Sequence, residues 1–132
     1  MASSQLQPYK DNTTQVTFVL VSTSATGATY QVSGGTLAEP FRIEIVRKIG
    51  PTSQVGNDHV IVRFTRSLRN ATTGKLSTCT ISVDIGIPKD TSLFTATVMK
   101  ETLALVASLL NDNAANAATS VNRTALIEGR DL

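Results

Sequence analysis

The sequence predicts an α+β domain: an N-terminal β-hairpin and antiparallel sheet, followed by two C-terminal helices. Three observations lead there. Of 39 Val, Ile and Thr residues, 29 precede Lys89, and β-branched side chains suit a pleated strand but crowd a helix. Most of the Ala residues follow Asp90. Strands first and helices last is the order of α+β folds, not of alternating βαβ units. With 132 residues and 41% hydrophobic content, the chain suits one domain over residues 1–132.

Residues 15–22 (QVTFVLVS) read as the first strand. Residues 28–33 (ATYQVS) return antiparallel after a turn at Thr26-Gly27, which makes a hairpin. Gly34-Gly35 ends it. Residues 41–48 form the next strand, with Phe41, Ile43 and Ile45 on one face. Arg42, Glu44 and Lys48 take the other, and Val46 breaks the alternation. Gly50-Pro51 stops this strand. Residues 58–68 place Val60, Val62 and Phe64 on an apolar face, with His59, Ile61, Arg63 and Thr65 opposite. Residues 70–75 (NATTGK) are a turn. Residues 76–87 are the last strand, with Cys79, Ile81, Val83 and Ile85 toward the core and Thr78, Thr80, Ser82 and Asp84 away from it.

Three consecutive strands thus have one apolar face and one face of charged or hydroxyl residues, so something must cover the apolar side. Pro88 ends the last strand. Asp90, Thr91 and Ser92 are candidate N-caps, because their oxygens accept orphan N–H groups. Residues 93–110 read as a helix with Met99, Leu103, Val106 and Leu110 on one stripe. Val98, Leu105 and Leu109 make that stripe wider than one sheet contact requires. Asn111-Asp112-Asn113 breaks the helix. Residues 114–127 read as a second, Ala-rich helix that Gly129 ends.

Several function classes fall away. The N-terminal MASSQLQPYKDNTT has no apolar run, so no signal peptide is expected and synthesis in the cytosol is expected. There is no stretch of about 18 apolar residues to span a membrane. A single cysteine, Cys79, precludes an internal disulfide or a Cys-based zinc cluster and reads as a buried small hydrophobe. The single histidine, His59, reads as a surface residue rather than a ligand. Glu44 and Asp84 share polar strand faces, but a carboxylate-pair hydrolase needs a cleft and a raised pKa. Gly34-Gly35 lacks the Lys-Ser/Thr and the helix of a phosphate loop. The sequons at Asn12, Asn70 and Asn122 read as chance matches in a Thr-rich chain. No enzymatic activity and no cofactor are expected.

Charge is localised. Residues 42–75 hold Arg42, Arg47, Lys48, Arg63, Arg66, Arg69 and Lys75 against Glu44 and Asp58, giving +5 in a chain of net +2. A concentrated positive surface is the footprint of a phosphate-bearing partner. The competing reading is a solvated strand face whose cations discourage edge aggregation. Aromatic interleaving, which would strengthen a single-strand RNA reading, is poor.

A hairpin, long antiparallel strands with a basic polar face, and two C-terminal helices together resemble the coat proteins of single-stranded RNA bacteriophages, the levivirus type. Thr17-Phe18-Val19-Leu20-Val21 with its Thr-Gly turn looks like the family's opening hairpin. Val62-Arg63 looks like its central strand with a basic RNA contact. Ile85-Gly86-Ile87-Pro88 looks like the end of its last strand, and residues 100–110, ending Ala-Ser-Leu-Leu, look like its first helix. The resemblance implies a homodimer in which two sheets join edge to edge and each subunit's helices pack across the partner. That would use the wide stripe of Met99, Leu103, Val106 and Leu110. It further implies an icosahedral shell, assembled in the bacterial host cytoplasm and found in the virion, with the sheet facing the genomic RNA. The turn from Arg69 to Ser77 matches the loop that lines symmetry axes in the family.

The resemblance also implies that the inner sheet face binds an RNA hairpin, marking the genome for packaging and repressing replicase translation. Arg63 matches a basic RNA-contacting position, and Ser82 and Asp84 match polar positions on the last strand. Thr80 falls where well-known members place a base-stacking tyrosine, and threonine cannot stack. Ile61 and Glu44 fall near small hydroxyl residues of a base pocket and do not reproduce it. Arg42, Lys48 and Thr65 join the candidates by face parity. Phosphate contacts are therefore expected to survive, and the hairpin preference to differ. The rival readings are a non-viral β-rich RNA-binding or self-assembling module, and a small enzyme with a cleft between helices and sheet.

Overall fold

The computed structural model describes residues 3–8, 14–50 and 57–109. The chain divides into two units, residues 1–89 and 90–132. The first unit is a six-stranded antiparallel sheet in sequence order: β1 (Gln5–Leu6), β2 (Phe18–Ser24), β3 (Gly27–Val32), β4 (Phe41–Lys48), β5 (Asn57–Arg69) and β6 (Leu76–Pro88). Each strand pairs with its neighbour in sequence, as short connections between alternating strands favour.

The alternation of apolar and polar residues locates β4 at its predicted bounds and β5 and β6 to within one residue at each end. The first hairpin differs. β2 starts at Phe18 and runs on to Ser24, and the turn is Ala25-Thr26 rather than Thr26-Gly27. Gly27 already belongs to β3, pairing with Ser24 and Val46, and it must be glycine because a Cβ there would overlap the Ile45 carbonyl oxygen of β4. The register shifts between Leu20 and Ser22, where one extra residue enters β2. β1, two residues long, is too short to carry a period and was not expected.

The core lies under β2, β3 and β4. Phe18, Tyr30 and Ile43 are buried, with Leu20, Phe41, Ile45, Val62 and Phe64 packed around them. Phe18 meets Phe41 and Phe64 edge-on, with centroids at 5.0 and 6.3 Å. The Tyr30 hydroxyl donates to the Ser3 carbonyl at 3.0 Å, so its polar end is satisfied. The expected burial of β6 is corrected: Cys79 is exposed, as are Ile81 and Val83. These residues do share the apolar parity. β6 is the outermost strand, however, and among the described residues it has a strand neighbour on one side only.

In the second unit, α1 spans Ala96–Leu109. It begins three residues later than expected, and the N-cap is Thr95, whose Oγ1 accepts the Val98 amide at 3.3 Å. Asp90 instead closes a turn of its own, accepting the Ser92 amide at 3.0 Å. The Ser92 hydroxyl and amide together hold the Asp90 carboxyl below its usual range. Met99 is half-buried, and Leu103 and Val106 are exposed. Leu110, the break at 111–113 and the expected second helix lie outside the described residues. Among the described residues, no helix is long and apolar enough to cross a membrane.

Candidate nucleic-acid interface

In a strand, successive side chains point to opposite faces, so the register fixes which residues share a surface. Four of the rows that cross the polar side of the sheet carry the candidate residues. The first joins Gln31, Arg42, Thr65 and Thr80; the second joins Thr29, Glu44, Arg63 and Ser82. The third joins Val46, Ile61 and Asp84, and the fourth Lys48, His59 and Gly86. All nine residues singled out on the strands (Arg42, Glu44, Lys48, Ile61, Arg63, Thr65, Thr80, Ser82 and Asp84) therefore lie on one face. Val46 is the apolar exception on that face, opposite Ile61.

The basic residues divide between the faces. Arg42, Lys48, Arg63 and Arg69 have the polar parity. Arg47 and Arg66 have the parity of Ile45 and Phe64 and are used structurally. The Arg66 guanidinium lies 5.0 Å from the Phe41 ring centroid. Arg47 Nη2 is 3.4 Å from Asp58 Oδ2, and Lys89 Nζ is 3.3 Å from Asp58 Oδ1. The Gly50 amide also donates to Asp58, at 2.9 Å. That amide, aided by Lys89 and Arg47 and opposed by partial burial, holds the Asp58 carboxyl below the usual carboxylate range.

On the polar face, the two acids have different partners. Glu44 is 3.4 Å from Arg63 Nη1, across the β4–β5 pair. Asp84 Oδ1 is 2.8 Å from His59 Nδ1, diagonally across β5 and β6. They do not form a carboxylate pair. Arg42 and Lys48 have no ion pair among the described residues. Ser67 and Thr78, facing each other in register, share a hydroxyl hydrogen bond of 2.8 Å that satisfies the buried Ser67. Among the described residues, no three His, Cys, Asp or Glu side chains gather as a metal site would require.

The face can bind phosphate through Arg42, Lys48 and Arg63, with Thr65, Thr80 and Ser82 as hydroxyl donors and acceptors between them. The sequence places His59 on this face, with Ile61 and Arg63, but gives it no part in RNA contact; its partnership with Asp84 emerges only from the β5–β6 register. At the far end of the same two strands, the Asn70–Lys75 turn is tightly hydrogen-bonded. Asn70 Oδ1 accepts the Thr72 and Thr73 amides at 2.8 and 3.0 Å, and Arg69 Nη1 donates to the Gly74 carbonyl at 2.6 Å.

No protein-family model and no curated protein sequence matches the chain. Solved structures do. A virus-like particle of Beihai levi-like virus 21 matches with a TM-score of 0.72 and 11% identity, over 100% of this chain and 98% of the other. The coat protein of bacteriophage EMS014 matches with a TM-score of 0.72 and 10% identity, over 100% and 99%. A virus-like particle of bacteriophage ESE020 matches with a TM-score of 0.63 and 16% identity, over 98% and 97%. This chain has the fold of the RNA-phage and levi-like virus coat proteins.

Proposed function

We propose that the chain is a viral coat protein whose homodimers assemble into a closed icosahedral shell around genomic RNA, with the polar sheet face turned inward. One observation carries the reading. The sheet has chemically opposite faces and an open 13-residue edge strand, β6, in a fold matched end to end by chains that form virus-like particles. An open edge of that length is a template for pairing. Pairing β6 with β6 of a second copy would close it and carry the basic face across both subunits. The exposed Ile81 and Val83 on the other face, with the exposed Leu103 and Val106 of α1, are apolar surface that a single chain leaves in water. Packing the Met99, Leu103, Val106 and Leu110 stripe across the partner would cover it.

In this reading the polar face also binds an RNA hairpin, as a packaging signal and as a repressor of replicase translation. Arg42, Lys48 and Arg63 supply affinity, which falls steeply with salt as counterions are released. Assembly takes place in the bacterial host cytoplasm and the protein resides in the virion. The test is expression of the full chain, followed by sedimentation with absorbance at 260 and 280 nm. Closed particles carrying nucleic acid are expected. A folded monomer that never assembles would refute the reading.

A further inference from the structure

We infer that His59 is the platform on which an unstacked RNA base lies, and that Asp84 positions its ring; this deepens the RNA-binding reading above and rests on it. The described aromatic rings of the sheet otherwise lie on the apolar side, where Phe18, Tyr30, Phe41 and Phe64 build or flank the core. His59 is therefore the one aromatic ring among the described residues of the polar face. It is half exposed. Its partner in register on β6 is Gly86, and a Cβ added there would lie 3.8 Å from His59 Cε1. The ring thus leans over backbone that carries no side chain. Asp84 Oδ1, 2.8 Å from Nδ1, fixes its direction.

The surroundings match one nucleotide. Lys48, opposite His59 on β4, is a cation for a flanking phosphate. The half-buried Val46 and Ile61 in the next row give the base edge an apolar flank. A carboxylate on a phosphate-binding face repels the ligand, and orienting a ring gives Asp84 a reason to be there. The same pair does not resemble a catalytic dyad, since among the described residues no hydroxyl or thiol is hydrogen-bonded to the imidazole. Bases stack on histidine as on other aromatic side chains, and sequence-specific RNA binding uses such splayed bases.

The test compares two fluorescent probes on RNA-free dimers of the full-length protein, dissociated from the shell so that the polar face is accessible: a ten-nucleotide oligoadenylate, and an abasic ribose-phosphate oligomer of equal length and charge. The readout is the ratio of their affinities, which isolates the base contribution. His59→Ala is expected to reduce that ratio roughly five- to 150-fold, with the salt slope unchanged. His59→Phe keeps the ring and should retain the ratio, which also guards against a folding defect. Asp84→Ala removes a negative charge, so it should tighten the abasic oligomer while lowering the ratio; Asp84→Asn keeps an acceptor and should preserve it. An unchanged ratio in His59→Ala, or equal loss in His59→Ala and His59→Phe, overturns the platform alone. If the wild-type protein binds neither probe, the RNA-binding reading falls and takes the platform with it.

Discussion

Phe18 illustrates what one residue contributes. It is buried against two rings and joins three strands. Phe18→Ala removes that volume from a site whose neighbours are fixed by the sheet, and should cost about 3–5 kcal/mol in denaturant unfolding. Asp58 contributes through charge. Its carboxyl pKa is lowered in the fold, so its stabilisation is fully present above the usual carboxylate value, about 3.9, and is lost as pH falls through the lower folded-state value. Thermal unfolding followed from neutral to acid pH should therefore weaken less steeply in Asp58→Asn than in the wild type. Glu44 and Arg63 form a pair, and in the proposed RNA-binding role the acid would compete with phosphate for the guanidinium. Arg63→Ala should weaken RNA binding and reduce the salt slope by about one, with dimers intact. Glu44→Gln should do the opposite to affinity; a filter-binding titration at several salt concentrations reads both.

At the scale of elements, the pattern of residues carried most of the fold. Period-two alternation located β4, β5 and β6 and sorted their side chains correctly onto two faces, because the strand period is fixed by backbone geometry. Burial was less legible. Cys79, Ile81 and Val83 have the apolar parity, but whether a parity is covered depends on a strand's place in the sheet, and alternation says nothing about that place. The helix start was missed for a local reason. Asp90, Thr91, Ser92 and Thr95 are all capping types, and only the folded chain shows that Asp90 accepts the Ser92 amide in a preceding turn. Register-dependent partnerships such as His59 with Asp84 were hidden for the same reason as the β2 bulge: a one-residue shift in pairing leaves no mark on composition. The β5–β6 turn was legible as NATTGK, and its hydrogen bonds explain why. Gly74 has φ +70°, a conformation costly for any residue with a Cβ. Gly74→Ala should destabilise the protein by about 1 kcal/mol, measured by chemical denaturation.

For the whole molecule, two opposite sheet surfaces and the long open edge of β6 define the physical problem. Among the described residues, the buried core of the apolar side lies beneath β2 to β4, while the longest strands carry exposed hydrophobic residues. A dimer that pairs β6 edges offers a solution to both at once, and makes folding and association one equilibrium. Thermal stability should then rise with protein concentration, and Val106→Asp should abolish the dimer by placing a charge in the apolar stripe. The polar side carries Arg42, Lys48 and Arg63 between hydroxyl residues, and its role as the RNA-facing floor is the central claim. Ultraviolet crosslinking of intact, RNA-containing particles, read by peptide mass spectrometry, tests it most directly. The account predicts adducts concentrated on polar-parity residues of β4, β5 and β6, around Lys48, His59, Arg63 and Thr80. Adducts confined to α1 or to the opposite face, at Arg47 and Arg66, would contradict it.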